Sequence, residues 1–292
     1  MKIGIVGLGL MGSSISLRLI NQGFQVAIYN RTISKTKSLE EKGAEIFGSP
    51  KEIADNSDFL ITCVTDFDAI NKVCFQENGI QETDNTNVVV ADFSTLSPTE
   101  SALCSKKFND KNISMLSSPV MGGPNAALEG HLIPIVSGNL HIFNKVKDIL
   151  EKLGNPVFYI GNKDGSANAV KLALNLNIGL IAMAFSEGLL LSDSYEIDST
   201  LYLKIFNSTN FKTGISENKG PRIINNDFSP SFYLKNMRKD LGLALDAAKE
   251  KELSLPVTSI TFQLYNYATT SQFSDFDYSA IYKFLKKLNS LE

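Results

Sequence analysis

The 292-residue chain has no tryptophan, only three cysteines and two histidines, and no surplus of positive charge. Cys63, Cys74 and Cys104 follow neither a CxxC nor a Cys/His spacing, which argues against a disulfide framework or a zinc site and suits a reducing, cytoplasmic setting. Lys and Arg number 28 against 31 Asp and Glu, a formal net charge of -3, so no overall field attracts a nucleic-acid backbone or an anionic membrane. The expected partner is a small molecule, with no nucleic acid, membrane or metal. The first six residues are apolar, but the run breaks at Gly7 without a long hydrophobic region or cleavage site, so it reads as a strand. The longest later apolar stretch, residues 177–192, is interrupted by Ser186, Glu187 and Gly188. It reads as a buried helix, too short and too polar to span a bilayer comfortably. His131 and His141 have no recognisable partner and read as ordinary surface or structural residues.

What is present is a globular composition, 43% hydrophobic and 20% charged, in a chain long enough for two domains. Up to about residue 160, Val/Ile-rich runs at 2–6, 25–29, 59–64, 88–92 and 156–160 alternate with helical spacing at 11–22, 35–42, 97–107 and 140–153. Such alternation predicts a parallel sheet with helices on both faces. Beyond residue 165 the strand-like runs stop, and helices are expected at 166–194, 200–208, 232–251 and 256–269. The fold class is α/β: an N-terminal Rossmann-type, doubly wound sheet over residues 1–162, then an all-α domain over 163–292. A helix over 166–194 would be about 43 Å long, enough to join the two halves and pack against a second subunit. Its apolar residues Leu174, Ile178, Ile181 and Phe185 suit either self-association or burial within one subunit. The C-terminal lysines Lys283, Lys286 and Lys287 read as a solvated helix face.

Gly7-Leu8-Gly9-Leu10-Met11-Gly12 follows the opening strand and begins a helix, the context in which GxGxxG binds a dinucleotide. Gly7 permits the tight turn, Gly9 lets the backbone approach a pyrophosphate, and Gly12 allows close helix–strand contact. An NAD site would place a carboxylate at the end of the second strand, but this chain has Asn30-Arg31-Thr32. Arg31 could hold a 2'-phosphate with help from Thr32, so NADP(H) is preferred and NAD(H) possible. Val64 and Thr65, at the end of the 59–64 run, join these residues as candidate cofactor contacts.

In Gly165-Ser166-Ala167-Asn168-Ala169-Val170-Lys171-Leu172-Ala173-Leu174-Asn175, Lys171 and Asn175 are four apart and share a helix face. Small and apolar neighbours, together with a cationic nicotinamide, would disfavour the charged lysine and suit it to exchanging a proton with a carbonyl or hydroxyl oxygen. A snorkelling or salt-bridged lysine fits the spacing as well.

Five ordered motifs carry a resemblance: Gly7 to Gly12, Asp92-Phe93-Ser94-Thr95, Pro119-Val120-Met121-Gly122-Gly123, the 165–175 helix start and Lys239-Asp240-Leu241. Over essentially its whole length the chain resembles the β-hydroxyacid dehydrogenase family, to which 3-hydroxyisobutyrate dehydrogenase and the glyoxylate, succinic semialdehyde and tartronate semialdehyde reductases belong. The resemblance implies that Lys171 is the catalytic acid and base and that Asn175 positions substrate. It also implies that Thr95 and Lys239 contact the cofactor, and that Ser94, Met121, Gly122 and Gly123 line the substrate carboxylate. Thr95 as a helix cap and Lys239 paired to Asp240 are the plainer alternatives. Met121 stands where family members commonly have serine, and Ser117 where they commonly have aspartate. The expected reaction interconverts a small 2- or 3-hydroxy acid with its oxo acid or semialdehyde, in a cleft between the domains of a homodimer or homotetramer. An imine reductase, a relative in fold that generally lacks the lysine, and a non-catalytic dinucleotide-binding module are the rival readings. Lys219-Gly220 is expected to be a mobile segment over the substrate or a capped turn.

Overall fold

A computed structural model describes residues 1–291. Two compact units emerge, Met1–Lys171 and Leu172–Glu292. The division falls inside the long helix that begins at Ser166.

In the first unit, nine strands form the sheet: β1 (Lys2–Val6), β2 (Gln25–Tyr29), β3 (Glu45–Ile46), β4 (Phe59–Thr62), β5 (Val89–Asp92), β6 (Ser114–Ser117), β7 (Val120–Met121), β8 (Ile133–Ser137) and β9 (Phe158–Gly161). Their order is β3-β2-β1-β4-β5-β6-β8-β7, with β9 on β8. Helices α1 (Leu10–Asn21), α2 (Lys37–Glu40), α3 (Pro50–Asp55), α4 (Phe67–Ile70), α5 (Pro98–Asn109), α6 (Pro124–Glu129) and α7 (Leu140–Leu153) connect them. β1, β4 and β5 read as unbroken apolar runs because helices cover both faces. Ile3, Ile5, Phe59, Ile61 and Ala91 face one core, while Val6, Leu60, Val88 and Val90 face another.

The sheet is parallel from β3 to β6, but β8 runs antiparallel to both β6 and β7, which corrects the expectation of a wholly parallel sheet. Only the short α6 separates β7 from β8, and its chain reverses at Gly130, which adopts a left-handed φ of 78°. A parallel crossover needs a longer connection. Pro134 inside β8 and serines at the ends of β6 hide both strands from a reading by apolar runs. The 35–42 helix resolves into a 3-10 turn, Ile33–Lys35, and the four-residue α2.

The second unit holds most of α8 (Ser166–Ser194), then α9 (Ser199–Asn207), α10 (Gly214–Ile224), α11 (Leu234–Glu250), α12 (Pro256–Ser271) and α13 (Ile281–Leu288). From Leu176 onward, α8 shares a core with α11, α12 and α13 through Phe185, Leu189, Met237, Leu241, Tyr265 and Leu285. Along the expected α8 stripe Phe185 is buried, whereas Leu174 and Ile181 are exposed. At 29 residues α8 is long and apolar enough to cross a membrane, contrary to the shorter reading of its 177–192 segment, because the alanine- and leucine-rich start extends the run. A core helix of a soluble protein satisfies the same measure. Lys283 and Lys286 are half-buried, each over an aromatic ring, and of the three only Lys287 is exposed.

Lys219-Gly220 is neither mobile nor a turn; both residues are buried inside α10. Gly220 lets α9 approach so closely that a Cβ there would lie 2.5 Å from Leu203 Cδ1. Lys219 Nζ donates to Asp277 Oδ2 at 2.8 Å, an ion pair that is almost wholly buried.

Candidate active site

The glycine turn after β1 has the geometry expected of it. Gly7 has a φ of +101°, and a Cβ there would meet the Cys63 carbonyl oxygen at 2.4 Å. A Cβ on Gly12 would lie 1.9 Å from the Gly7 carbonyl oxygen, so α1 rests directly on the turn. Substituting Gly12 with alanine should cost about 1–3 kcal/mol through overpacking against backbone, read as a lower midpoint in urea with unchanged slope. Gly9 differs from both: nothing lies within 4 Å of the place its Cβ would take. No side chain caps the first turn of α1. Bare backbone at Gly9, a helix start that no side chain caps and the positive end of α1 suit a pyrophosphate.

Asn30, expected as a cofactor contact, is engaged with the protein. Its Oδ1 accepts from Leu8 N–H at 2.9 Å and its Nδ2 donates to the Thr32 carbonyl at 2.9 Å, tying the glycine turn to the end of β2. Arg31 and Thr32 are exposed beside that turn.

The ends of β4 and β5 are tied through Asp92, which is buried. Its Oδ1 accepts from Thr62 Oγ1 at 2.8 Å and from Ser94 N–H at 3.1 Å. Ser94 Oγ in turn accepts from Val64 N–H at 3.0 Å, so the serine joins the two loops that carry Thr65 and Thr95. Ser97, not Thr95, caps α5, through a reciprocal capping box with Glu100. Burial and the Asp92 carboxylate push the neighbouring Cys63 thiol up to about 12, so it stays protonated at neutral pH.

Lys171 ends the first unit with 8% of its surface exposed. Its Nζ donates to the Val120 carbonyl at 2.8 Å and lies 3.3 Å from Met121 Sδ. Beyond Met121, Gly122 has a φ of +115°, and a Cβ there would be 2.9 Å from Leu132 Cδ2. Gly123 has open space in the corresponding direction. The first unit therefore gathers the lysine and the β7 segment of the expected substrate loop. Asn168, one turn before Lys171, holds that start of α8 by reaching the Leu96 carbonyl at 3.4 Å.

In the second unit, Asn175 Nδ2 donates to Asp240 Oδ2 at 2.6 Å. A carboxylate only accepts, so the amide nitrogen faces it and Asn175 Oδ1 is turned away from it. Lys239 Nζ lies 3.2 Å from Asp240 Oδ1, the pairing that the sequence offered as its plainer role. Asp240 thus holds two candidate residues at once. Sequence reasoning treated it only as a neighbour of Lys239, although Met237, Leu241 and Ala244 already marked position 240 as part of the buried face of α11.

Comparison with known proteins matches residues 2–161 to the NAD binding domain of 6-phosphogluconate dehydrogenase. Residues 165–285 match the NAD-binding region of NADP-dependent 3-hydroxyisobutyrate dehydrogenase. Glyoxylate/succinic semialdehyde reductase 1 of Arabidopsis thaliana is 31% identical, over 98% of this chain and 99% of the relative. The 2-hydroxy-3-oxopropionate reductase of Escherichia coli (strain K12) is 30% identical, over 98% of this chain and 97% of the relative. The crystal structure of a 3-hydroxyisobutyrate dehydrogenase from Salmonella typhimurium has the same fold, with a TM-score of 0.89 at 24% identity over 97% of this chain and 99% of that one.

Proposed function

The chain belongs to the β-hydroxyacid dehydrogenase family, and from that premise we propose that it interconverts a small 2- or 3-hydroxy acid and its oxo acid or semialdehyde with NADP(H). The observation that carries this reading is the Lys171 ammonium, buried against the Val120 carbonyl of the strand that leads into Gly122-Gly123. The glycine turn would hold the dinucleotide phosphates. Bound there, the dinucleotide supplies a hydride to the substrate carbon or takes one from it.

The chain's own residues supply binding and the proton. Val120 fixes the position of Lys171 Nζ, which gives a proton to the substrate oxygen on reduction and takes it back on oxidation. Asn175, its amide oriented by Asp240, lies one helical turn further on and offers Oδ1 as an acceptor to a substrate hydroxyl. The backbone at Gly122 and Gly123 lets a carboxylate approach without a side chain in the way. A dinucleotide-binding module without activity would need neither Lys171 nor Asn175. The lysine also weighs against imine reduction.

NADP(H) preference is assigned to Arg31. Charge-assisted hydrogen bonds to a 2'-phosphate contribute about 1.5–3 kcal/mol, so Arg31→Ala should raise the KM for NADPH by about 10- to 100-fold and leave NADH little changed. An unaltered preference would remove the assignment. The reaction itself is tested by following NADPH oxidation with glyoxylate, succinic semialdehyde, methylmalonate semialdehyde and tartronate semialdehyde. Absorbance is the right signal because a chain without tryptophan reports binding poorly by fluorescence.

A further inference from the structure

We infer that Met121 makes this site select aldehyde acids whose carbon next to the carbonyl bears hydrogen or alkyl, against those that bear hydroxyl there. The inference rests on the reductase reading, and on the placement of one thioether. Met121 Sδ lies 3.3 Å from Lys171 Nζ, while the Val120 carbonyl oxygen holds the same nitrogen at 2.8 Å. Of these two acceptors the sulfur is much the weaker. A substrate oxygen that comes to the ammonium displaces the sulfur and leaves the carbonyl bond in place. Met121 is half-buried and has three rotatable bonds, so the displaced thioether folds against the group that has replaced it. That group is the substrate, and the part within reach is the reacting carbon and its immediate neighbour.

A thioether donates no hydrogen bond and accepts only weakly. A hydroxyl on the neighbouring carbon would lose its water and meet sulfur and methyl, whereas a methyl of nearly the same size would make favourable contact. The flanking glycines supply no side chain to rescue the hydroxyl. An apolar wall discriminates weakly against an isostere that adds a hydroxyl, with a ceiling of about a hundredfold. About tenfold or more in kcat/KM is therefore expected from this contact.

Methylmalonate semialdehyde and tartronate semialdehyde make a matched pair, carrying methyl and hydroxyl on the same carbon. With NADPH, the native protein should favour the methyl compound by about tenfold or more in kcat/KM. Met121→Ser should cut that ratio by about tenfold or invert it, while Met121→Leu, apolar and of similar volume, should keep it. Glyoxylate, which has no such carbon, reports whether each variant retains a working site. If glyoxylate is reduced but the native ratio is near one, or the serine variant leaves the ratio unchanged, the selectivity inference is overturned and the reductase reading survives. If NADPH binds and none of the aldehydes is reduced by the native protein, the reductase reading fails and the inference falls with it.

Discussion

Replacing Lys171 by alanine is expected to lower turnover of any accepted aldehyde by about 10²- to 10⁴-fold, the usual contribution of a positioned proton donor. NADPH affinity should change little, because the glycine turn and Arg31 lie on the loops after β1 and β2, whereas Lys171 is held by Val120 of β7. The signature is a fall in kcat without a matching rise in the dissociation constant of NADPH, read by single-turnover oxidation and by equilibrium dialysis. Loss of the ammonium also leaves the Val120 carbonyl without this donor, which costs about 1–3 kcal/mol of stability. Lys171→Arg keeps an N–H donor for that carbonyl but does not give up its proton, and so separates the two effects. If it restores the melting temperature but not turnover, the lysine acts in the chemistry. A variant that keeps native turnover would reduce Lys171 to a structural clasp on β7.

Asp277→Ala should destabilise the protein by about 3–5 kcal/mol, the cost of leaving one partner of a buried ion pair behind. Asp277 is fully buried. Its Oδ2 accepts from Lys219 Nζ at 2.8 Å and from Ser231 N–H at 3.0 Å, and its Oδ1 accepts from Ser279 Oγ at 2.8 Å. These bonds fasten α10 and the segment that enters α11 to the turn before α13. Removing both charges together, as in Lys219→Met with Asp277→Leu, should cost less than the single alanine, because no uncompensated ammonium remains. Denaturant unfolding of the three proteins measures the difference, and a double variant worse than Asp277→Ala would count against the buried pair as the cause.

The same residue shapes acid stability. Burial by itself would raise the Asp277 carboxyl, but the Lys219 ammonium and the donated hydrogen bonds overcome it and hold the group below its usual value. A carboxyl depressed in the folded state contributes stability that is fully present above the unfolded value of about 3.9. That stability is lost as pH falls through the lower folded value. Burial pulls the Lys219 amine below its ordinary value, an effect confined to the alkaline side. Native protein should therefore lose more stability between pH 6 and pH 3 than Asp277→Asn does, and equal losses would exclude this linkage.

The dinucleotide turn was readable because its requirements are local. Gly7 needs a positive φ and Gly12 a close approach of backbone, and both demands leave glycine as a mark in the chain. The ends of α8 were readable for the same reason: small and apolar residues persist for many turns between a glycine and a turn. The role of Asn30 was not readable, since a polar residue at a strand end serves a ligand or a backbone equally well. Its two bonds to Leu8 and Thr32 appear only in the fold. Lys219 looked like a loop residue because its partner is 58 positions away, and a buried lysine cannot be told from a solvated one without that partner.

By itself, the amino-acid sequence determined the two-part plan, the family and the candidate lysine, since periodicity, glycine placement and motif order are properties of neighbours along the chain. Tertiary structure alone decided that β8 reverses the sheet, that Asp92 and Asp240 hold the candidate residues, and that a methionine sulfur lies against the Lys171 ammonium. Each of these depends on which atoms meet across tens of residues, and on hydrogen bonds and burial that exist only once distant segments have packed together.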